Sequence, residues 1–101
     1  MRRGRRRRGR RGRIPTPVFI GHRPAAEGFM PYPDVGEGTI VLEPAELEAL
    51  RLVDLEDLSQ EEAGVKMGVS RGTVWRILHD ARRKVVHALI EGRQIQILSS
   101  A

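Results

Sequence analysis

A chain of 101 residues with no cysteine, 4% aromatic residues and a net charge of +5 provides material for one small domain and excludes disulfide scaffolds and thiolate zinc sites. No apolar run approaches the ~20 residues that span a bilayer, and no apolar h-region follows the basic start, so neither a membrane partner nor secretion is expected. Residues 1–13 carry nine arginines and no acid, whereas the remainder holds nine bases against thirteen acids. A basic arm on a mildly acidic body points to a polyanion partner.

The arm comprises Arg2, Arg3, Arg5, Arg6, Arg7, Arg8, Arg10, Arg11 and Arg13 with interspersed glycines. Like charges at this density repel and nothing apolar is present to bury, so the arm is expected to be disordered alone. Extended, it reaches ~40 Å. Guanidinium groups form paired, charge-assisted hydrogen bonds with phosphate, and Arg-Gly runs suit a narrow minor groove or RNA. A solubilising tail is the plainer reading of the same charge.

Residues 14–42 read as an extended segment, because Pro15, Pro17, Pro24, Pro31 and Pro33 remove amide donors and glycines weaken regular elements. Val18, Phe19, Ile20, Phe29, Met30 and Tyr32 are apolar anchors, some of which should lie across a helical body. Ile40-Val41-Leu42 is a candidate strand. Glu43-Pro44 then opens a helix, since proline suits the first turn and acids there match the dipole. Leu47, Ala49, Leu50, Leu52, Val53 and Leu55 give that helix apolar surface on more than one side. Eight acids and one base lie between Glu43 and Glu62, a surface that should face away from DNA.

From Leu58 to Leu78 the spacing predicts two short helices joined by a tight turn. Ser59 and Glu62 form a capping box, Gly68 takes the turn and Ser70 caps the second helix. Ala63, Met67, Val69, Val74 and Ile77 fall where two crossed helices share a core. The second helix should run on to Gly92, with Val74, Leu78, Ala81, Val85 and Leu89 as its inward stripe. Residues 43–93 thus form the predicted helical domain. Residues 94–101 form a tail in which Gln94–Ile97 alternates like a strand, able to pair with Ile40–Leu42 in the same chain or in a second copy, as a homodimer.

The segment from Leu42 to Gly92 resembles region 4 of sigma-70-type factors. Through E-L-E-A-L-R-L, D-L-E-D-L-S-Q-E-E-A, M-G-V-S-R and A-R-R-K-V it is similar to a family of small, largely uncharacterised prokaryotic predicted DNA-binding proteins, and Phe29-Met30-Pro31 resembles an F-x-P element of that family. The resemblance implies a helix-turn-helix fold of three to four helices and a role in DNA binding, so the expected class is all-α, with the short strands at 40–42 and 94–97 that the residue pattern suggests. Three positions depart from the family pattern. Gly64 stands where alanine is usual, which should loosen the first motif helix by up to ~1 kcal/mol. Gly72 lies in the first turn of the reading helix, and Trp75 replaces a small or polar residue.

Helix-turn-helix proteins read bases from the start of the second helix, which makes Arg71, Thr73, Trp75, Arg76 and His79 the base-reading candidates. Arg76 is suited to guanine O6 and N7. Trp75 is open to two readings, a contact to sugar and thymine methyls or a core residue. Ser59, Gln60, Ser70, Gly72 and Arg83 are phosphate candidates, with Arg82 and Lys84 beside them. The expected function is a cytoplasmic, nucleoid-associated duplex-DNA binder that regulates transcription. The alternatives are an RNA or ribonucleoprotein binder acting through the arm, and a module that contacts RNA polymerase. No enzyme activity, cofactor or metal is expected: His22, His79 and His87 lack ligand spacing, and no nucleophile elbow or phosphate loop occurs.

Overall fold

A computed structural model describes residues 18–34 and 36–99. Among these described residues three helices and three strands succeed one another: β1 (Gly28–Phe29), β2 (Thr39–Leu42), α1 (Pro44–Ala49, continued in wider π geometry over Leu50–Leu55), α2 (Gln60–Met67), α3 (Arg71–Glu91) and β3 (Gln94–Ile97). The fold is mostly helical but not all-α. The strands form one sheet in the order β1-β3-β2, and the chain leaves it at Leu42 and returns to it at Gln94 around the whole helical unit.

Pairing between β2 and β3 takes place within one chain and is parallel, with Ile40 opposite Ile95 and Leu42 opposite Ile97. The third strand was not legible, because Gly28–Phe29 sits among prolines. It pairs antiparallel with β3, Phe29 opposite Ile95, and the Ile97 amide donates to the Glu27 carbonyl at 2.9 Å.

Ala49, Leu52, Ala63, Met67, Val74 and Leu78 make the core, with Val18, Leu50, Val53, Leu58, Val69 and Ile77 packed on it. Two predicted core leucines lie outside. Leu55 is 76% exposed, because the π turn takes more residues per revolution, so a residue three beyond Leu52 no longer shares its face. Leu89 is 73% exposed while Ala88 is buried. At 3.6 residues per turn the position seven beyond Ala81 continues the stripe, and position eight drifts off it.

Both caps predicted for the two-helix unit are present. Ser59 Oγ accepts from the Glu62 amide at 3.0 Å while Glu62 Oε1 accepts from the Ser59 amide at 2.8 Å. Gly68 ends α2 at φ +74°, the left-handed region that glycine occupies without a Cβ penalty. Gly64 has a different reason to be glycine. A Cβ there would stand 2.7 Å from the Val69 carbonyl oxygen, so the close approach of the turn to α2 requires the missing side chain. The loosening expected from helix propensity is outweighed by this contact.

Candidate nucleic-acid interface

The first turns of α3 carry an outward row of polar and aromatic side chains. Ser70 begins it: its Oγ accepts from the Thr73 amide at 3.1 Å and donates to Thr73 Oγ1 at 2.9 Å. Arg76 Nη2 donates to the same Thr73 oxygen at 3.3 Å. Thr73 is half-buried, and its hydroxyl belongs to the cap as much as to the surface. Arg71, Gly72, Trp75, Arg76 and His79 are exposed. Arg71, Trp75 and His79 follow at steps of four and share one face of the helix.

The two readings of Trp75 are separated by its surroundings. Its ring is not core: the residue is 54% exposed and stacks on His79, centroids 5.2 Å apart and planes 5° from parallel. The i, i+4 spacing that produces this stack is visible in the sequence.

The basic side chains further along α3 divide. Arg83 is exposed and its guanidinium has no partner among the described residues. Arg82 is held by Asp54, Nη2 to Oδ1 at 2.6 Å and Nε to Oδ2 at 3.2 Å, which keeps the Asp54 carboxyl below its ordinary pKa. Lys84, placed by sequence beside the phosphate contacts, instead turns inward. Its Nζ donates to Glu46 Oε1 and to the Val41 carbonyl, both at 2.7 Å, and so ties α3 to α1 and to β2. No local spacing announces a pair 38 residues apart.

The acids of α1 are partly spent in the same way. Glu46 is buried against Lys84, and its carboxylate also accepts from the Glu43 amide at 2.8 Å. Glu48 is 4% exposed. It accepts from Arg51 Nη2 and from the Gly21 amide, both at 2.8 Å. Burial pushes the Glu48 carboxyl up, but these hydrogen bonds and the Arg51 charge outweigh it, and its pKa lies below the ordinary value. The acidic run predicted as one repelling surface is thus partly internal.

The two helix starts differ electrically. Glu61 and Glu62 occupy the first turn of α2, so Ser59 and Gln60 sit beside negative charge and the Ser59 hydroxyl is committed to its cap. The first turn of α3 contains no acid and presents Arg71, a position at Gly72 where, among the described residues, a Cβ would meet only Ser70 Oγ at 4.0 Å, and the free amides of a helix N-terminus.

Sequence reasoning missed where the N-terminal segment is fastened. The Phe19 amide donates to the Met67 carbonyl at 2.9 Å, and the Phe19 ring covers Gly68, whose added Cβ would meet it at 2.9 Å. The described chain therefore starts beside the turn that leads into α3. The nine arginines of residues 1–13 lie outside the described residues.

The model of a family described as Protein of unknown function DUF134 matches residues 1–100. The chain belongs to this family. It is similar to a UPF0251 protein of Archaeoglobus fulgidus, 45% identical over 86% of this chain and 83% of the relative. It is also similar to UPF0251 protein PF0620 of Pyrococcus furiosus, 51% identical over 90% and 84%. UPF0251 protein PH0803 of Pyrococcus horikoshii is 54% identical over 74% and 71%. No solved structure matches the chain. Among the described residues of this family member, no helix is long and apolar enough to cross a membrane, and no group of His, Asp or Glu is arranged to hold a metal ion.

Proposed function

We propose that this protein binds duplex DNA and acts in transcription, with the start of α3 in the major groove and the arginine arm on phosphates or the adjacent minor groove. The observation that carries the reading is the start of α3: an acid-free, capped helix N-terminus that presents Arg71, Trp75, Arg76 and His79 to solvent. A helix projecting from a two-helix core is the element that fits a major groove. Arg83, further along the exposed side, and the amides near Gly72 suit phosphates. Anchorage of Phe19 at Met67 and Gly68 starts the arm's tether beside the reading turns, so one stretch of duplex lies within reach of both.

Selection of bound duplexes from a random pool tests this reading. The expected result is enrichment of a short motif. A pool that stays random, with structured RNA competing better than duplex, would move the function to the arm and to RNA. Retention of RNA polymerase after nuclease treatment, without any enriched motif, would favour a polymerase-contacting module.

A further inference from the structure

We infer that the last turns of α3 and the Phe29–Tyr32 segment form the interface of a two-fold dimer of this chain. Val86, Leu89 and Ile90 on α3 are 55%, 73% and 79% exposed, and Phe29, Met30 and Tyr32 beside them are 63%, 63% and 101% exposed. Five of them meet in one place: Phe29, Met30, Tyr32, Leu89 and Ile90 line the same concavity of about 400 Å³. Val86 extends the apolar surface one helical turn back from Ile90.

Three features select a second copy as the occupant. The first is area. The six residues together expose on the order of 800 Å², more than the few hundred Å² usual on a monomer, and covering most of it approaches the ~800 Å² each partner contributes to a standard interface. The second is shape. A two-fold contact needs a surface that complements itself, and this one carries both a ridge, Val86-Leu89-Ile90, and the neighbouring groove, so each copy can seat its ridge in the other's groove. The third is charge. Beside Leu89 and Ile90 the nearest ions are paired within one copy, Glu91 Oε1 accepting from Arg93 Nε at 2.7 Å and lying 3.0 Å from His87 Nε2, so covering that end of the patch strands no charge. The sheet agrees with this placement. The outer edge of β2 is engaged by Lys84 at Val41, whereas β1, which carries Phe29, is the other edge, and exposed strand edges invite pairing.

The dimer does not depend on the DNA-binding reading. If both hold, the interface lies ~20 Å along α3 from the reading turns, a reach that suits two half-sites about one helical turn apart.

Sedimentation equilibrium of the full chain without DNA tests the dimer. The expected species has twice the chain mass of 11.4 kDa in a concentration series up to roughly 100 μM. Ile90→Glu and, separately, Tyr32→Asp should each raise the dissociation constant by about 30-fold or more. Both positions are exposed, so helical circular dichroism should be unchanged. Val65→Glu, at an exposed valine on α2, should leave the mass unaltered. A wild-type chain that sediments at its own mass throughout, or folded Ile90 and Tyr32 variants that remain as dimeric as the wild type, would overturn the inference.

Discussion

The indole of Trp75 lies parallel to the imidazole of His79, 5.2 Å between centroids and 5° between planes. Two flat rings are thereby held as one exposed slab on the side of α3 that begins with Arg71. Trp75 is the only tryptophan in the chain, so its emission reports directly on that face. Addition of a selected duplex should change the emission spectrum. Trp75→Ala should alter unfolding free energy by less than ~1 kcal/mol, as for a surface position, and weaken duplex binding by about tenfold, or ~1.4 kcal/mol. Unchanged affinity would remove Trp75 from the interface.

Among the described residues Arg76 is tethered only by the 3.3 Å bond to Thr73, which it can release at little cost. Arg76→Ala should lose ~1–3 kcal/mol at one cognate base pair and little on random duplex. Binding measured on a panel of single-base variants checks this. An equal loss on every sequence would make Arg76 a phosphate contact.

Removal of residues 2–13 tests the division of labour between arm and body. If the arm neutralises ~6 phosphates, the slope of log affinity against log salt should become shallower by about 5. The same slope before and after truncation would assign the electrostatic affinity to the body.

Two glycines in the α2–α3 unit should respond oppositely to alanine. Gly72→Ala adds a Cβ into open space, 4.0 Å from Ser70 Oγ, and should stabilise the fold by up to ~1 kcal/mol through helix propensity. Gly64→Ala gains the same propensity but sets its Cβ 2.7 Å from the Val69 oxygen. Overpacking against backbone costs ~1–3 kcal/mol, so the net effect should be a loss. Urea midpoints of both variants decide the signs.

Glu48 predicts an acid dependence of stability. Its folded pKa lies below the ordinary 4.5, so on protonation the unfolded chain takes up its proton first. The stabilisation is complete above that value and is lost as pH falls through the lower folded pKa. Denaturation curves between about pH 6 and 3 should fall less steeply for Glu48→Gln, which cannot ionise, than for the wild type. Parallel curves would deny Glu48 this role.

The parts legible in sequence depend on near neighbours. Ser59 with Glu62, Ser70 with Thr73, and Gly68 at the turn are separated by a few residues, and backbone geometry alone dictates what they do. The stripe of α3 was readable to Ala81 for the same reason, until Leu89 and Ala88 exchanged places. Strand Gly28–Phe29 had no local signal, because two residues among prolines become a strand only when β3 lies beside them. Of the proposed reading face, the residue types were legible, but the exposure of Trp75 was not. Whether a tryptophan is core depends on what packs over it, and the segment that could have done so is fastened instead to Met67 and Gly68.

Sequence by itself determined the two caps, the turn, the helix start that faces outward and the separation of a basic arm from an acidic body, because each rests on spacing or on local charge. Only the tertiary structure decided which charges remain available. Lys84 and Glu46, 38 residues apart, meet between α3 and α1, Arg82 meets Asp54, and Arg83 is left facing solvent. Opposite charges pair where folding brings them within a few ångströms, and separation along the chain contains no record of that distance.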